Sequence, residues 1–306
     1  MKKCAIIINS LSGNSGAVDV TGLKNLFGKK YQTQVIHIYE ETILGDLSSY
    51  ERVVVCGGDG TLHTVINCKL SSSVELIYLP YGTLNEIRHN ADADSARFAE
   101  VGKAGEKYFT YVCAAGIFTP LGYTVATKKK KRWKKLAYLS QILKEYQVHR
   151  INAQLELNGA THKGEYSLIM AIDSPQCMGF KFNKMFKQDD GMFHLLTIKA
   201  PKHNGFVGKV GLFFPLFRAF FVGFKKSYHS KKILFEPCTF LKVRLDNSVP
   251  FDMDGERVEM QDEFTIGIEK QKYDIQIISR ERLHLLQQKQ KRLKKKKKKH
   301  RSKKSV

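Results

Sequence analysis

The string Gly57-Gly58-Asp59-Gly60-Thr61 follows an apolar run at 52–56 and precedes a helical pattern that opens at Leu62. A glycine-rich turn between a buried strand and a helix start lets backbone N–H groups come close to phosphate oxygens, and the helix dipole adds to the attraction. Such a turn is an anion cradle. A carboxylate inside it repels phosphate unless a divalent cation stands between them, so Asp59 points to a metal-bound polyphosphate. The spacing fits neither GxGxxG nor the Walker pattern, which disfavours a dinucleotide fold and a P-loop. Two further loops each follow a strand-like run: Asn9-Ser10-Leu11-Ser12-Gly13-Asn14-Ser15-Gly16 and Leu79-Pro80-Tyr81-Gly82-Thr83-Leu84-Asn85-Glu86. Gly/Ser/Thr/Asn loops at the carboxyl ends of parallel strands describe a nucleotide phosphate site. Asp254-Gly255-Glu256 and Gln188-Asp189-Asp190-Gly191-Met192 bring two carboxylates each. Taken alone, either is equally a turn of Asp-Gly type.

Holding three such loops together takes a parallel sheet. Short β-branched runs at 4–8, 34–39, 52–56 and 75–79 alternate with helix-like segments, the pattern of strands wrapped by helices. From 151 onward, runs at 152–157, 166–171, 193–199, 240–245, 263–269 and 273–278 are joined mainly by turns, as in an antiparallel sandwich. The expected fold is therefore an α/β N-terminal domain with a parallel sheet carrying the GGDGT nucleotide site, followed by a C-terminal antiparallel β-sandwich domain. Residues 1–125 form the first domain, 126–280 the second, and 281–306 a basic, disordered tail. Helices are expected over 128–146 and within 203–224. In the latter, Phe213, Phe214, Phe217, Phe220 and Phe221 are expected to bury a face against the strands, with a membrane contact as the lesser reading.

Composition bounds the possibilities. With 306 residues, 42% apolar and 26% charged, the chain can bury a substantial core, which excludes a peptide or a largely disordered protein. The net charge of +22 calls for anionic partners. Twelve basic residues and no acid lie between Lys289 and Lys304, leaving +10 on the rest, and seven more flank Trp133 between Lys128 and Lys135. The six cysteines are scattered without a CxxC, as expected of reduced thiols in the cytoplasm. The apolar stretch after Met1-Lys2-Lys3 is too short for a signal peptide. The stretch 211–224 falls short of the roughly 20 residues of a membrane span and holds Pro215 and Arg218, so no transmembrane helix is expected.

The order of motifs is more specific than any one of them. An Asn-x-x-Ser-Gly loop, GGDGT, PxGTxNE with 24 residues from Thr61 to Asn85, and then Asp254-Gly255-Glu256 resembles the soluble lipid kinase family of bacterial diacylglycerol kinases and sphingosine kinases. The likeness extends over most of residues 1–280. It implies an ATP-binding first domain, a sandwich that completes a lipid cleft, and a last ordered segment that returns to the first domain. It implies that Gly57, Gly58, Gly60 and Thr61 hold ATP phosphates, with Asn9, Ser12, Gly13, Gly82, Thr83, Asn85 and Glu86 around the nucleotide. Asp59 would belong to the network that positions magnesium. Asp254 and Glu256 would supply the catalytic carboxylate for the lipid hydroxyl, and Asp189, Asp190 and Met192 would hold a structural magnesium through a carboxylate and a backbone carbonyl. Gly116-Ile117-Phe118-Thr119 and Leu136-Ala137-Tyr138 fit family loops as well. Ser10 stands where the family has Pro, Asn14 where it has Lys, and His63-Thr64 where it has Asn-Glu. Loss of that lysine removes a phosphate-neutralising charge, and His63 is expected at the surface or as a cap.

The resemblance implies an ATP-dependent lipid kinase that transfers the γ-phosphoryl group to a hydroxyl of a membrane lipid, diacylglycerol first, with ATP and Mg2+ as cofactors. Its expected place is cytoplasmic, peripheral to the inner face of the membrane, with the basic tail on anionic lipids. A homodimer is admitted. Nucleic acid is not an expected partner, because the body lacks aromatic/basic interleaving. Three alternatives stand: an NAD kinase, whose family shares the GGDGT portion but has its Asn-Glu pair much farther downstream; a non-catalytic lipid or nucleotide sensor, suggested by Asn14 and Thr64; and a nucleic-acid-binding protein resting on charge alone.

Overall fold

The computed structural model describes residues 2–40, 42–83, 85–90, 95–117 and 148–302, with backbone alone at 89–90, 95–96 and 295–302. The predicted helix at 128–146, the cluster around Trp133, Phe118-Thr119 and Leu136-Ala137-Tyr138 lie outside those residues. Two compact units emerge, Met1–Phe98 with Tyr273–Val306, and Ala99–Lys272.

The first unit opens with four strands, three of them apolar runs buried on both faces as a sheet covered by helices requires, and the edge strand Gln32–Ile38 partly exposed along its length. These are β1 (Lys3–Asn9), β2 (Gln32–Ile38), β3 (Arg52–Gly57) and β4 (Glu75–Pro80). They lie in the order β2-β1-β3-β4, all parallel. Helix α1 (Val20–Phe27) is capped by Asp19, whose side chain accepts the Gly22 N–H. Helix α2 (Asp59–Ile66) starts one residue after β3 ends. Ile6, Ile8, Leu23, Val54, Ile77 and Leu79 form the core of one face.

The second unit is mainly antiparallel. Its strands, the first and last of which continue into the first unit, are β5 (Ser95–Ala104), β6 (Lys107–Phe109), β7 (Val112–Gly116), β8 (Ile151–Leu157), β9 (Ala160–Ile172), β10 (Phe193–Lys199), β11 (Tyr228–His229), β12 (Ile233–Cys238), β13 (Phe240–Leu245), β14 (Val249–Met253), β15 (Glu256–Met260) and β16 (Glu263–Ile278). One ladder runs β11-β12-β10-β9-β8-β13-β16, and β7 joins β9 to β14. The period of two along β9 serves two cores: Ile169 and Ala171 enter one cluster, Leu168, Met170 and Ile172 the other. The division at Phe98/Ala99 differs from a boundary near 125, because β5 pairs with β6 and β7 with β9, so 99–116 joins the antiparallel ladder.

Helix α3 (Gly205–Phe217) runs into a π-helical turn, Arg218–Val222. Leu212, Leu216, Ala219 and Phe220 pack into the second core, while Phe213, Phe214, Phe217 and Phe221 are exposed. Of the five phenylalanines expected to be covered, only Phe220 is; a segment apolar all round has no period to tell its two faces apart. Gly205–Val222 has the length and mean hydropathy, 1.5, of a membrane span. Its packed face is part of the core, so spanning would dismantle that core.

The chain then returns to the first unit. Residues 274–277 of β16 pair parallel with β4, and α4 (Arg280–Ser302) follows. Residues 281–302 are thus helical, not disordered. Leu283 is buried in the first unit's core with Leu286 against it, and Gln290 donates to the Asn25 carbonyl at 2.7 Å. These contacts anchor the first turns, and the lysine run continues a helix already nucleated.

Candidate active site

Strands β1, β3 and β4 are neighbours and parallel, so their carboxyl ends deliver three loops to one end of the sheet. There the backbones nearly touch. A Cβ on Gly82 would lie 2.5 Å from the Gly58 Cα, and one on Gly13 would lie 2.8 Å from the Thr83 hydroxyl. Glycine is required at these positions for closeness, not for a left-handed backbone. Gly57 accepts from the Tyr81 and Gly82 N–H groups at 2.7 and 3.0 Å, which locks the β4 loop to the β3 loop.

Side chains complete the cross-links. Asn9 Nδ2 donates to the Thr61 hydroxyl at 2.8 Å, and its Oδ1 accepts the Leu11 N–H. Asn14 Nδ2 donates to the Gly82 carbonyl at 2.9 Å. The residue standing in place of a lysine therefore ties the first loop to the third. Ser12 donates its N–H to the Asn9 carbonyl and accepts from Ser15, and the Ser15 hydroxyl closes the turn on the Ser10 carbonyl. Asp59, 8% exposed at the first position of α2, accepts the Glu86 N–H at 2.6 Å and the Tyr78 hydroxyl at 3.1 Å. Asn85, at φ 49, donates to the Gly82 carbonyl at 3.1 Å. Gly60 accepts from the Thr64 hydroxyl at 2.9 Å. His63 is buried in α2, not at the surface. The sheet thus brings Asn9, Ser12, Gly13, Gly57, Gly58, Asp59, Gly60, Thr61, Gly82, Thr83, Asn85 and Glu86 to one end of the first unit.

The remaining candidates belong to the second unit. Met253 pairs with Glu256 across β14 and β15, so Asp254 and Gly255, at φ 56 and 95, form a two-residue turn with both residues left-handed. Asp254 is only 2% exposed. One carboxylate oxygen accepts the Thr110 N–H and hydroxyl at 2.5 and 2.9 Å, the other the Tyr111 and Val112 N–H groups at 3.0 and 3.2 Å. A carboxylate holding four donors is a fixed strut, a poor place for a proton in transit. Glu256, at the start of β15, is exposed.

Asp189 accepts the Ala99 N–H at 2.9 Å, and Asp190 accepts the Met192 N–H at 3.0 Å. Beside them, Glu100 takes the Gly191 N–H on one oxygen, while its other oxygen is buried with no hydrogen-bond partner. Burial raises the Glu100 carboxyl above its ordinary range, and the Asp189 and Asp190 charges add to that rise. Asp173 is raised well above, by burial first and then by the Glu100, Asp190 and Asp189 charges. An all-oxygen group with an orphaned carboxylate oxygen fits a hard divalent cation. No set of three His, Cys, Asp or Glu side chains at metal-holding distance occurs among the described residues. Motif spacing singles out none of Tyr78, Glu100, Thr110 or Asp173; only the Tyr78 hydroxyl, inside an otherwise apolar run, signals a buried partner.

Known proteins are similar to this chain. Residues 3–107 match the family model for the diacylglycerol kinase catalytic domain. A diacylglycerol kinase of Bacillus subtilis (strain 168) is 24% identical over 84% of this chain and 90% of its own length. One of Staphylococcus carnosus (strain TM300) is 24% identical over 68% of this chain and 70% of its own. A solved diacylglycerol kinase from Bacillus anthracis str. Sterne shares the fold at a TM-score of 0.57 and 17% identity, with 90% of this chain and 96% of that one covered. Residues 3–107 thus match the diacylglycerol kinase catalytic domain, and the wider likeness is to bacterial lipid kinases related to diacylglycerol kinase.

Proposed function

We propose that the protein is an ATP-dependent kinase that phosphorylates a hydroxyl of a membrane lipid, with diacylglycerol the first substrate to test. The observation that carries this reading is the convergence of three Gly-bearing loops at the ends of β1, β3 and β4, with Gly82 pressed against Gly58. Gly57, Gly58, Gly60 and Thr61, from the end of β3 into α2, would hold the phosphates; the Thr61 N–H already donates to the Gly58 carbonyl, so Thr61 would act through its hydroxyl. Asn9, Ser12, Gly13, Thr83, Asn85 and Glu86 surround that end of the sheet. Asp59 would hold Mg2+ against the phosphates, and Asp189, Asp190 and the Met192 carbonyl would hold a second, structural Mg2+. When bound, the cation neutralises phosphate charge.

Transfer requires the lipid hydroxyl oxygen to bond to the γ-phosphorus as the bond to the β-phosphate oxygen breaks, and the hydroxyl proton must leave. Glu256, exposed on β15, supports the base role. Asp254 fits better as the residue that fixes the hairpin carrying Glu256, because its own oxygens are engaged. Its assignment as a catalytic carboxylate therefore gives way to one as a positioning residue. The family match supports the lipid as acceptor, and the apolar stretch Gly205–Val222 supports a place peripheral to the membrane.

The test is incubation of the purified chain with γ-labelled ATP and Mg2+, in separate arms with micellar diacylglycerol, a total lipid extract, and NAD. Label in a phospholipid is the expected result. NADP without labelled lipid overturns the reading, and so does nucleotide binding with no transfer in any arm.

A further inference from the structure

We infer that the exposed face of α3 and its π-turn is a docking surface for an anionic lipid bilayer. Phe206, Val210, Phe213, Phe214, Phe217 and Phe221 are all exposed, with Phe206 at 81%, Phe214 at 71% and Phe221 at 68%. Steps of three and four residues place them along one side of the helix, opposite Leu212, Leu216 and Phe220, which fill the core. A helix on a soluble body ordinarily has one apolar stripe. This one has two, and the outer one is aromatic. Its rings form a continuous stack, Phe213 on Phe217 at 6.1 Å and Phe217 on Phe221 at 5.3 Å. An exposed apolar patch of this kind marks an interaction site.

Charge selects the occupant. No Asp or Glu occurs from Gly191 to Phe235, and eight Lys or Arg lie between Lys199 and Lys232. Lys202 precedes the helix, Lys225 and Lys226 follow the turn, and all three are exposed. Lys184 donates to the Val222 carbonyl at 2.8 Å, adding a cation at the far end. A second copy of the chain seated symmetrically on this face would set basic flank against basic flank, which like-charge repulsion opposes. Anionic lipid satisfies both parts, rings in the acyl boundary and ammonium groups among the headgroups. The inner face stays packed in the core, so the helix lies in the plane of the interface and does not cross it. Arg218 reinforces the attachment, its guanidinium 4.7 Å from the Phe224 ring centre and 4.5 Å from that of Tyr228.

The inference deepens the lipid kinase reading by naming how the enzyme meets its substrate phase, and its test is independent of phosphoryl transfer. The full chain is sedimented with vesicles of dioleoylphosphatidylcholine, alone or mixed with dioleoylphosphatidylglycerol. Binding is expected with the mixed vesicles only. The triple variant Phe206→Ser, Phe214→Ser, Phe221→Ser is expected to lose about tenfold or more in vesicle affinity, while a chain ended at Lys294 keeps most of it. Equal binding by the triple variant and the wild type overturns the inference. A second reporter, Phe214→Trp with Trp133→Phe, keeps the ring. Its emission is expected at long wavelength and open to acrylamide in buffer, then blue-shifted and shielded on mixed vesicles. Shielding already in buffer means that this chain or a second copy covers the face, and sinks the proposal. Normal vesicle docking with no lipid phosphorylation would instead fault the kinase reading alone.

Discussion

The Thr110 N–H and hydroxyl both reach one oxygen of the Asp254 carboxylate, at 2.5 and 2.9 Å, across 144 residues of sequence. The hairpin that presents Glu256 is thereby bolted to the approach to β7. Asp254→Ala strands several buried donors and is expected to cost roughly 3 kcal/mol or more of stability, at about 1–3 kcal/mol per unsatisfied group. Glu256→Gln should unfold like the wild type yet turn over about a hundredfold more slowly with nucleotide affinity kept, the scale of a lost general base. Urea unfolding and initial rates on the two variants separate strut from base. A stable Asp254→Ala with full activity would contradict the assignment.

Asp59 joins α2 to the Glu86 N–H and the Tyr78 hydroxyl. Asp59→Ala removes an acceptor from two buried donors as well as a carboxylate from the phosphate cradle. The variant is expected to lose phosphoryl transfer and about 1–3 kcal/mol of stability, read as a lower urea midpoint. An unchanged midpoint would show that those donors find another acceptor at no cost.

Gly82 sits where even one methyl group collides with the Gly58 Cα and the Asn85 side chain, each 2.5 Å from the added carbon. Gly82→Ala must spread the β3 and β4 loops. Its Michaelis constant for ATP is expected to rise about tenfold or more, given how sensitive phosphoryl transfer is to positioning. Gly164→Ala, in β9 with open space around it and an ordinary backbone, serves as the control and should leave that constant unchanged.

Burial pushes the His194 imidazole down to about 4. The unfolded chain protonates the same group near pH 6.5, so the folded state binds fewer protons between those values. Stability is therefore whole above the unfolded value and lost as pH falls toward the folded one, by something on the order of 3 kcal/mol. His194→Gln should erase that loss, so that the stability advantage of wild type over variant shrinks between about pH 7.5 and pH 4.5. Asp173, raised by burial, slopes the other way: its folded form gains protons first on acidification. Asp173→Asn is expected to raise the unfolding temperature at pH 8 more than at pH 5, by the same linkage.

How much of this was legible in the sequence depended on which force shaped each part. β10 and β13 begin and end where the apolar runs at 193–199 and 240–245 do, since a strand with a packed face must follow its pattern. The three loops at the carboxyl ends of β1, β3 and β4 were equally readable, because only small residues allow backbones so near each other. Glu100 and Asp173 were not. Nothing in their neighbours' types foretells a buried carboxylate; it arises when β5, β9 and the 188–192 turn come together. α4 misled for a related reason: lysine repulsion argues for disorder, but Leu283 and Leu286 decide the outcome through a core some 200 residues away in sequence.

The return of β16 to β4 sets an order of events at the ribosome. The segment Ala99–Lys272 is continuous and can fold as it emerges, whereas β4 gains its outer neighbour only after residues 274–277 have been made. Until then the edge of β4 offers unpaired N–H and C=O groups to any strand nearby. The first domain to be translated is therefore the last to be completed, and a nascent chain stalled before Tyr273 carries an open sheet edge for a chaperone to shield.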